Sequence, residues 1–218
     1  MESQVRGGTR WKRFAVVMVP SVAATAAIGV ALAQGALAAS FSVSGQSFKV
    51  SADYLHGDGF SQYGAVDSGY TLSGEKTLHP VAVSAFNSAR IQKMCQSVTT
   101  PGIPLLGSVT LTLSAGDSSD EDKQVSASNL YIDVEDLQTS KAVFNGIDIG
   151  VDASSITKGP KPKSDEVSKG QTYAHGFSQQ ADSADLYDVK QTAWATTAGT
   201  FTLPGLHMSL AAGSKGCY

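Results

Sequence analysis

Positive charge is scarce in this chain once its N-terminal segment is set aside. Residues 39–218 keep 12 of the 16 lysines and arginines but 18 of the 19 acidic residues, a formal charge of −6. Arg90 is the one arginine among them. Because a nucleic-acid-binding protein needs a basic face, no nucleic-acid partner is predicted. Docking on anionic lipid by charge alone is excluded for the same reason.

Long apolar runs are also lacking, with one exception at the N-terminus. A positive region ends at Arg13, residues 14–33 then run without a charge, and Ala36-Leu37-Ala38 fits the preference of a signal peptidase. We therefore predict a signal peptide or an uncleaved signal anchor over residues 1–38 and an exported domain over 39–218. The domain would be secreted or extracytoplasmic, held on the cytoplasmic membrane by residues 14–33 if the leader is retained.

Cysteine is limited to Cys95 and Cys217. In an oxidising compartment such a pair predicts a disulfide, and two free thiols are the alternative. Neither cysteine has the spacing of a zinc site. Four carboxylates cluster at residues 117–123, without the spacing of a calcium-binding EF-hand loop. No metal and no cofactor are therefore predicted, and the cluster is interpreted as a solvated hairpin tip.

Long helix-period patterns are absent from residues 39–218, where apolar and polar residues alternate instead, as in 109–113 and 130–134. Residues 85–98 fit a short helix or a strand about equally well. Asn145-Gly146 stands between two such runs and predicts a hairpin. Residues 158–170 carry four lysines and two prolines, which is typical of a surface loop. We predict a single all-β domain, a β-sandwich or an open β-roll of antiparallel hairpins, behind an N-terminal signal or anchor helix.

The G-x-S-x-G motif of serine esterases is also missing. The nearest match, GFSQYG at residues 59–64, is one residue too long, and Ser61 is its serine. A partial copy contains Ser178. If a triad forms on another fold, Ser61 is the first candidate nucleophile and Ser178 the second, with His56 or His175 as the base. The alternative is that both His-Gly-Phe-Ser-Gln-like segments form turns that enter strands.

Several segments resemble a family of small exported actinobacterial proteins that are commonly labelled cholesterol esterase, and otherwise a domain of unknown function. These segments are MCQSV at 94–98, LYIDV at 130–134, QTAWATTAGTF at 191–201 and GCY at 216–218. The resemblance covers nearly the whole chain and implies hydrolysis of a sterol or other fatty ester. The other hypothesis is a lipid-binding or structural envelope protein without catalysis. A lipid or sterol ester is thus the expected partner, and no protein partner is identified.

The leader hypothesis has a direct test. If the signal is cleaved after Ala38, N-terminal sequencing of protein from culture medium gives Ala39 or a close neighbour. Recovery of the chain with an intact Met1 in the membrane fraction would instead establish the signal anchor.

Overall fold

The computed structural model describes residues 42–218, so the predicted leader lies outside the described residues. Within this range 64% of the residues are in strands and 6% in short helices, which confirms the all-β prediction. The strands are β1 (Phe48–Tyr70), β2 (Lys76–Gln92), β3 (Met94–Ile103), β4 (Gly107–Ala115), β5 (Val125–Gln138), β6 (Lys141–Asn145), β7 (Asp148–Asp152), β8 (Phe177–Thr197), β9 (Thr200–Thr202) and β10 (His207–Ala212). A single turn of helix, α1 (Ser164–Ser168), precedes β8.

The ten strands form one sheet rather than the two packed sheets of a sandwich. β1 pairs with β2, β2 with β5, β5 with β8, and β8 returns to β1, all antiparallel. These four strands therefore form a closed circuit of backbone hydrogen bonds. Closure pairs β1 and β8 along much of their length and so leaves less unpaired strand edge, which would otherwise pair with other chains. The apolar side chains that fill the main core include Phe60, Phe86, Leu130, Ile132 and Leu186.

Residues with left-handed backbone angles lie next to each other across the sheet. Gly59 on β1 faces Asn87 on β2, which faces Asn129 on β5, and both Gly59 and Asn129 have positive φ. A Cβ at position 59 would come within 2.0 Å of the Asn87 amide nitrogen. Glycine and asparagine tolerate positive φ best. The pairing register of the strands is the same on both sides of these residues.

The predicted Asn145-Gly146 hairpin is wrong, although Gly146 does have a positive φ of 61°. β6 and β7 on either side of it do not pair with each other. β6 pairs with residues 183–187 of β8, and β7 continues along the same strand at residues 177–180. The turn residues thus connect two short strands that lie one after the other along β8, because its free edge accepts both.

β3, β4 and β10 form a three-stranded extension, which we call the wing. It joins the closed circuit where residues 95–97 of β3 pair with residues 49–51 of β1. The predicted disulfide between Cys95 and Cys217 is present and ties the C-terminal tail to the wing. The tail also accepts a hydrogen bond from Thr110 Oγ1 at the Gly213 carbonyl (2.7 Å), and the Cys217 amide donates to Ser97 Oγ (3.0 Å).

The disulfide closes a loop between residues 122 positions apart. Cross-linking so long a loop stabilises by roughly 4 to 5 kcal/mol in the chain-entropy model, and native strain reduces that figure. We expect Cys217→Ser to lower the free energy of unfolding by a few kcal/mol, measured by guanidinium denaturation. Lys215→Ser, an exposed change in the same tail, serves as the control. Equal unfolding midpoints for Cys217→Ser and the unmodified protein would contradict this expectation.

Candidate functional site

Both candidate nucleophiles are fully buried and bonded to backbone carbonyls. Ser61 Oγ donates to the Pro160 carbonyl at 2.5 Å. Ser178 Oγ donates to the Val151 carbonyl at 2.8 Å. In residues 42–218 neither hydroxyl is hydrogen-bonded to a histidine. The catalytic assignment stays a prediction, and in this conformation the two hydroxyls fasten neighbouring segments to β1 and β8.

The two candidate bases pair with carboxylates in separate places. His56 Nδ1 lies 2.7 Å from Asp185 Oδ1, and its Nε2 lies 3.4 Å from Asp58 Oδ1. The hydrogen bond to Asp185 raises the pKa of His56 above its usual value. Tyr54 also donates to Asp185 (2.5 Å), and these two bonds lower the pKa of that carboxyl. His175, in the turn before β8, pairs with Asp152 at 2.8 Å.

The two similar sequence segments meet in the fold. Gln62 of β1 lies opposite Gln179 of β8 in the antiparallel register. Gln179 Nε2 donates to Gln62 Oε1 at 2.6 Å, and Gln62 Nε2 donates to Ser84 Oγ at 2.9 Å. The glutamines of the two segments therefore form a cross-strand amide network between adjacent strands. The interpretation as turns that enter strands is right for the second segment, which passes from a turn into β8, and wrong for the first, which lies within β1.

Two carboxyl groups on β1 and β5, which the sequence did not predict as a site, form a second cluster. The carboxyl groups of Asp67 on β1 and Asp133 on β5 lie close enough for each to influence the pKa of the other. Burial raises the pKa of Asp67 to about 6, with help from the charge of Glu166. Burial and the charge of Asp67 raise the pKa of Asp133 to about 7. The pair therefore retains a proton near neutral pH, as closely spaced carboxyls do when one ionisation opposes the other.

Residues 156–172, here called the cover, lie over this pair. Lys163 Nζ is 3.4 Å from Glu166 Oε1, and both side chains are largely buried. Tyr63 of β1 donates to Glu166 Oε2 at 3.3 Å. Beside them, the ring of His79 stacks on Trp194 with centroids 3.5 Å apart. Two buried atoms in this region, Asp67 Oδ2 and His79 Nε2, have no hydrogen-bond partner.

The wing has the opposite chemistry, because β3, β4 and β10 contain no Asp, Glu, Lys or Arg. Cross-strand pairing puts Leu210, Leu111 and Val98 in one row and Met208 beside Leu113 in the next. Directly opposite residues share a face of a sheet, so these side chains form one apolar face. Met208 and Leu210 are 61% and 70% exposed.

The tip of the wing continues the apolar surface. Leu105 and Leu106 form the turn between β3 and β4; Leu105 is fully exposed and Leu106 is 56% exposed. Leu105 has a φ of 69°, a conformation that leucine rarely adopts. The opposite face of the wing is polar: Ser97 and Thr110 contact the C-terminal tail there. The sequence feature that could have indicated this apolar surface is the absence of Asp, Glu, Lys and Arg from residues 94–116 and 191–214.

Metal chemistry and helical membrane spans find no support in the described part of the chain. Across residues 42–218 no group of three or more His, Cys, Asp or Glu side chains is arranged to hold a metal ion. No helix in the same range is long and apolar enough to cross a membrane.

The His56 site makes a testable prediction about proton affinity. Because the bond to Asp185 is the main cause of the raised pKa, Asp185→Asn should lower the pKa of His56 more than Asp58→Asn does. The pH titration of the imidazole resonances by NMR measures both changes. Since the folded pKa lies above the unfolded one, the pair stabilises the fold at low pH, and this contribution is lost as pH rises through the folded pKa. A larger effect of Asp58→Asn would contradict the assignment.

Comparison with known proteins agrees with this description without adding a function. No curated protein and no solved structure matches the chain. One family model, described as a family of unknown function (DUF6230), matches residues 44–218, which is the whole described domain apart from its first two residues. The cholesterol esterase label of the resembling proteins is not confirmed by this match. The chain belongs to this DUF6230 family.

Proposed function

We propose that the protein is an exported envelope protein that binds lipid without catalysis, through the apolar face and tip of the wing. The observation that carries the proposal is the Leu105-Leu106 turn at the end of three strands that have no charged residue. Lipid acyl chains are the proposed ligand, because they remove apolar side chains from water and do not need a charged group to bind them.

The shape of the wing favours insertion into a lipid surface. An exposed leucine that is transferred fully out of water gains about 1.5–3 kcal/mol. Burial of the two leucines at the tip therefore contributes enough free energy for measurable binding. Leu111 and Leu210, which lie opposite each other on β4 and β10, extend the apolar surface behind the tip. Soluble proteins rarely expose large contiguous apolar patches without a partner. The predicted apolar leader would deliver the domain to a membrane in either form, cleaved or retained.

The esterase hypothesis has less support from the geometry. A serine nucleophile needs a base within hydrogen-bonding distance, and its hydroxyl must be accessible to the substrate. Ser61 and Ser178 are fully buried and donate to carbonyl oxygens. His56 and His175 are oriented by carboxylates, as a triad base is, but no serine hydroxyl completes either arrangement in residues 42–218. Binding of an apolar lipid, a sterol ester included, requires none of these groups.

The binding test uses protein that starts at Ala39 and vesicles of neutral phosphatidylcholine, with partitioning measured by flotation. We expect the unmodified protein to bind, and Leu105→Asn with Leu106→Ser to lower the partition coefficient at least tenfold, because two buried leucines are lost. Asparagine suits the left-handed backbone at position 105, so the turn is kept. Binding should change little with salt or anionic lipid, because the wing has no charge.

Leu72→Asn with Leu78→Ser is the matched control, since it removes two leucines that are 60% and 64% exposed outside the wing. Equal losses in both double variants, or no binding by the unmodified protein, would refute the wing as a lipid-binding surface. The same preparations are assayed for hydrolysis of a cholesteryl and a short-chain ester. Turnover above buffer that disappears in Ser61→Ala or Ser178→Ala would establish the esterase in place of non-catalytic binding.

A further inference from the structure

Both ends of the cover are fastened to the sheet by contacts that do not involve Asp67 or Asp133, and Lys158 near its start also pairs with Asp148 at 3.1 Å. Ile156 is fully buried at its start, and the Pro160 carbonyl accepts the hydrogen bond from Ser61. At the other end Thr172 Oγ1 donates to the Gly64 carbonyl at 2.7 Å, and the Val66 amide donates to the Gln171 carbonyl at 2.8 Å. The hydrogen bonds and the burial of Ile156 do not depend on pH, and Lys158 lowers the pKa of Asp148, so that ion pair also persists. Both ends therefore stay in place over the physiological range.

The middle of the cover is fastened differently, by charged groups. Glu166 accepts from Tyr63 and pairs with Lys163, whose ammonium also lies 4.5 Å from the centre of the Tyr131 ring. The carboxyl pair of Asp67 and Asp133 lies near enough for the charges of Glu166 and Lys163 to affect the pKa of both carboxyls. The titratable and charged groups that meet here come from every element in contact: Tyr63 and Asp67 on β1, His79 on β2, Tyr131 and Asp133 on β5, and Lys163 and Glu166 on the cover.

The contact between the middle of the cover and the sheet is sensitive to one proton because few charges take part in it. While Asp67 and Asp133 share a proton, two negative charges, one on the pair and one on Glu166, face the positive charge of Lys163. When the proton is lost, three negative charges face the same single cation. Charges in a partly buried site are poorly screened, so the added repulsion acts directly between the sheet and Glu166.

We propose that the cover is a pH-sensitive latch, held on the sheet while Asp67 and Asp133 share a proton and released in its middle when that proton is lost. The segment that moves is residues 161–170, which contains α1. Its release uncovers part of a second apolar cluster that lies outside the main core, formed by Tyr63, Val81, Val83 and Ile156 with Ala65, Tyr131 and Trp194 packed against it. This inference does not rest on the lipid-binding proposal, because it concerns a different region.

The direction of the pH effect follows from the raised carboxyl pKa values. The folded pair titrates at pKa values of about 6 and 7, against about 3.8 for each carboxyl when unperturbed, so the last, shared proton is lost at about pH 7. The folded state therefore binds more protons than the unfolded chain between these values, and stability falls as pH rises. The latch is closed in mildly acidic medium and opens above neutrality.

The test compares the exported protein with Asp133→Asn at one pH. The amide can donate to Asp67 as the protonated acid does, and it cannot ionise. At pH 8 we expect amides of residues 161–171 to exchange with deuterium about tenfold or more faster in the unmodified protein than in the variant, since each pKa unit of coupling corresponds to tenfold. At pH 5.5 the two proteins should exchange alike. Residues 82–91, which pair with β5, report whether the sheet itself stays intact.

Trp194 provides a second readout beside the pair, because it stacks on His79 and His79 lies opposite Asp67 in the β1–β2 register. With Trp11→Phe it is the single tryptophan whether or not the leader is retained. Its emission maximum should move to longer wavelength between pH 5.5 and 8, and Asp133→Asn should abolish the shift. His79 is present in both proteins, so a change that they share does not come from the carboxyl pair.

Asp122→Asn is the matched control, since Asp122 is an exposed carboxylate in the turn before β5. It should exchange like the unmodified protein. Equal exchange of residues 161–171 in Asp133→Asn and unmodified protein at pH 8 would overturn the latch. If Asp133→Asn does not fold, Asp67→Asn replaces it. If neither folds, the unmodified protein decides: after correction for the intrinsic rate, unchanged protection of residues 161–171 from pH 5.5 to 8 overturns the proposal.

Discussion

The pairing of β1 with β8 closes the sheet, and most other features depend on it. The register extends from Phe48 opposite Ala193 to Tyr63 opposite Ser178. Without it, β1, β2, β5 and β8 would be an open ribbon with two unpaired edges. With it, the side chains of four long strands meet in one core, and the partners of Ser61 and Ser178 come within reach. Gly59 and Asn129 have positive φ within long strands, and the pairing register is the same on both sides of them.

Closure also separates the molecule into regions of different electrostatic character. Charged residues gather on the cover and around Asp67 and Asp133, where a proton decides the balance of attraction and repulsion. The wing carries none, and its apolar face has no neighbour within the described residues. A surface without charge is insensitive to pH and salt, whereas the cover is sensitive to pH. One domain thus carries two apolar surfaces, one always exposed and one covered.

Local patterns predicted the class of structure but not its connections. Alternation at residues 109–113 and 130–134 is a property of single strands, and both became strands. The hairpin predicted at Asn145-Gly146 was wrong, because turn residues do not specify which strand the following strand pairs with. The disulfide was predicted from a count of two cysteines in an expected oxidising compartment. Residues 158–170 looked like a free surface loop, since nothing local shows that Lys163 and Glu166 would lie over a buried carboxyl pair.

The same limit explains why the carboxyl pair was missed and why the motif alone does not establish the role of the two serines. Asp67 and Asp133 are far apart in sequence, and each stands at an ordinary polar position of an alternating strand. Their chemistry arises when β2, lying between β1 and β5, brings them onto one face. Ser61 and Ser178 became candidates because their segments approach the G-x-S-x-G motif, and in the structure the glutamines that follow them interact across the paired strands β1 and β8. A motif shows which residues are alike; burial and partners decide whether a hydroxyl can react or a carboxyl can keep its proton.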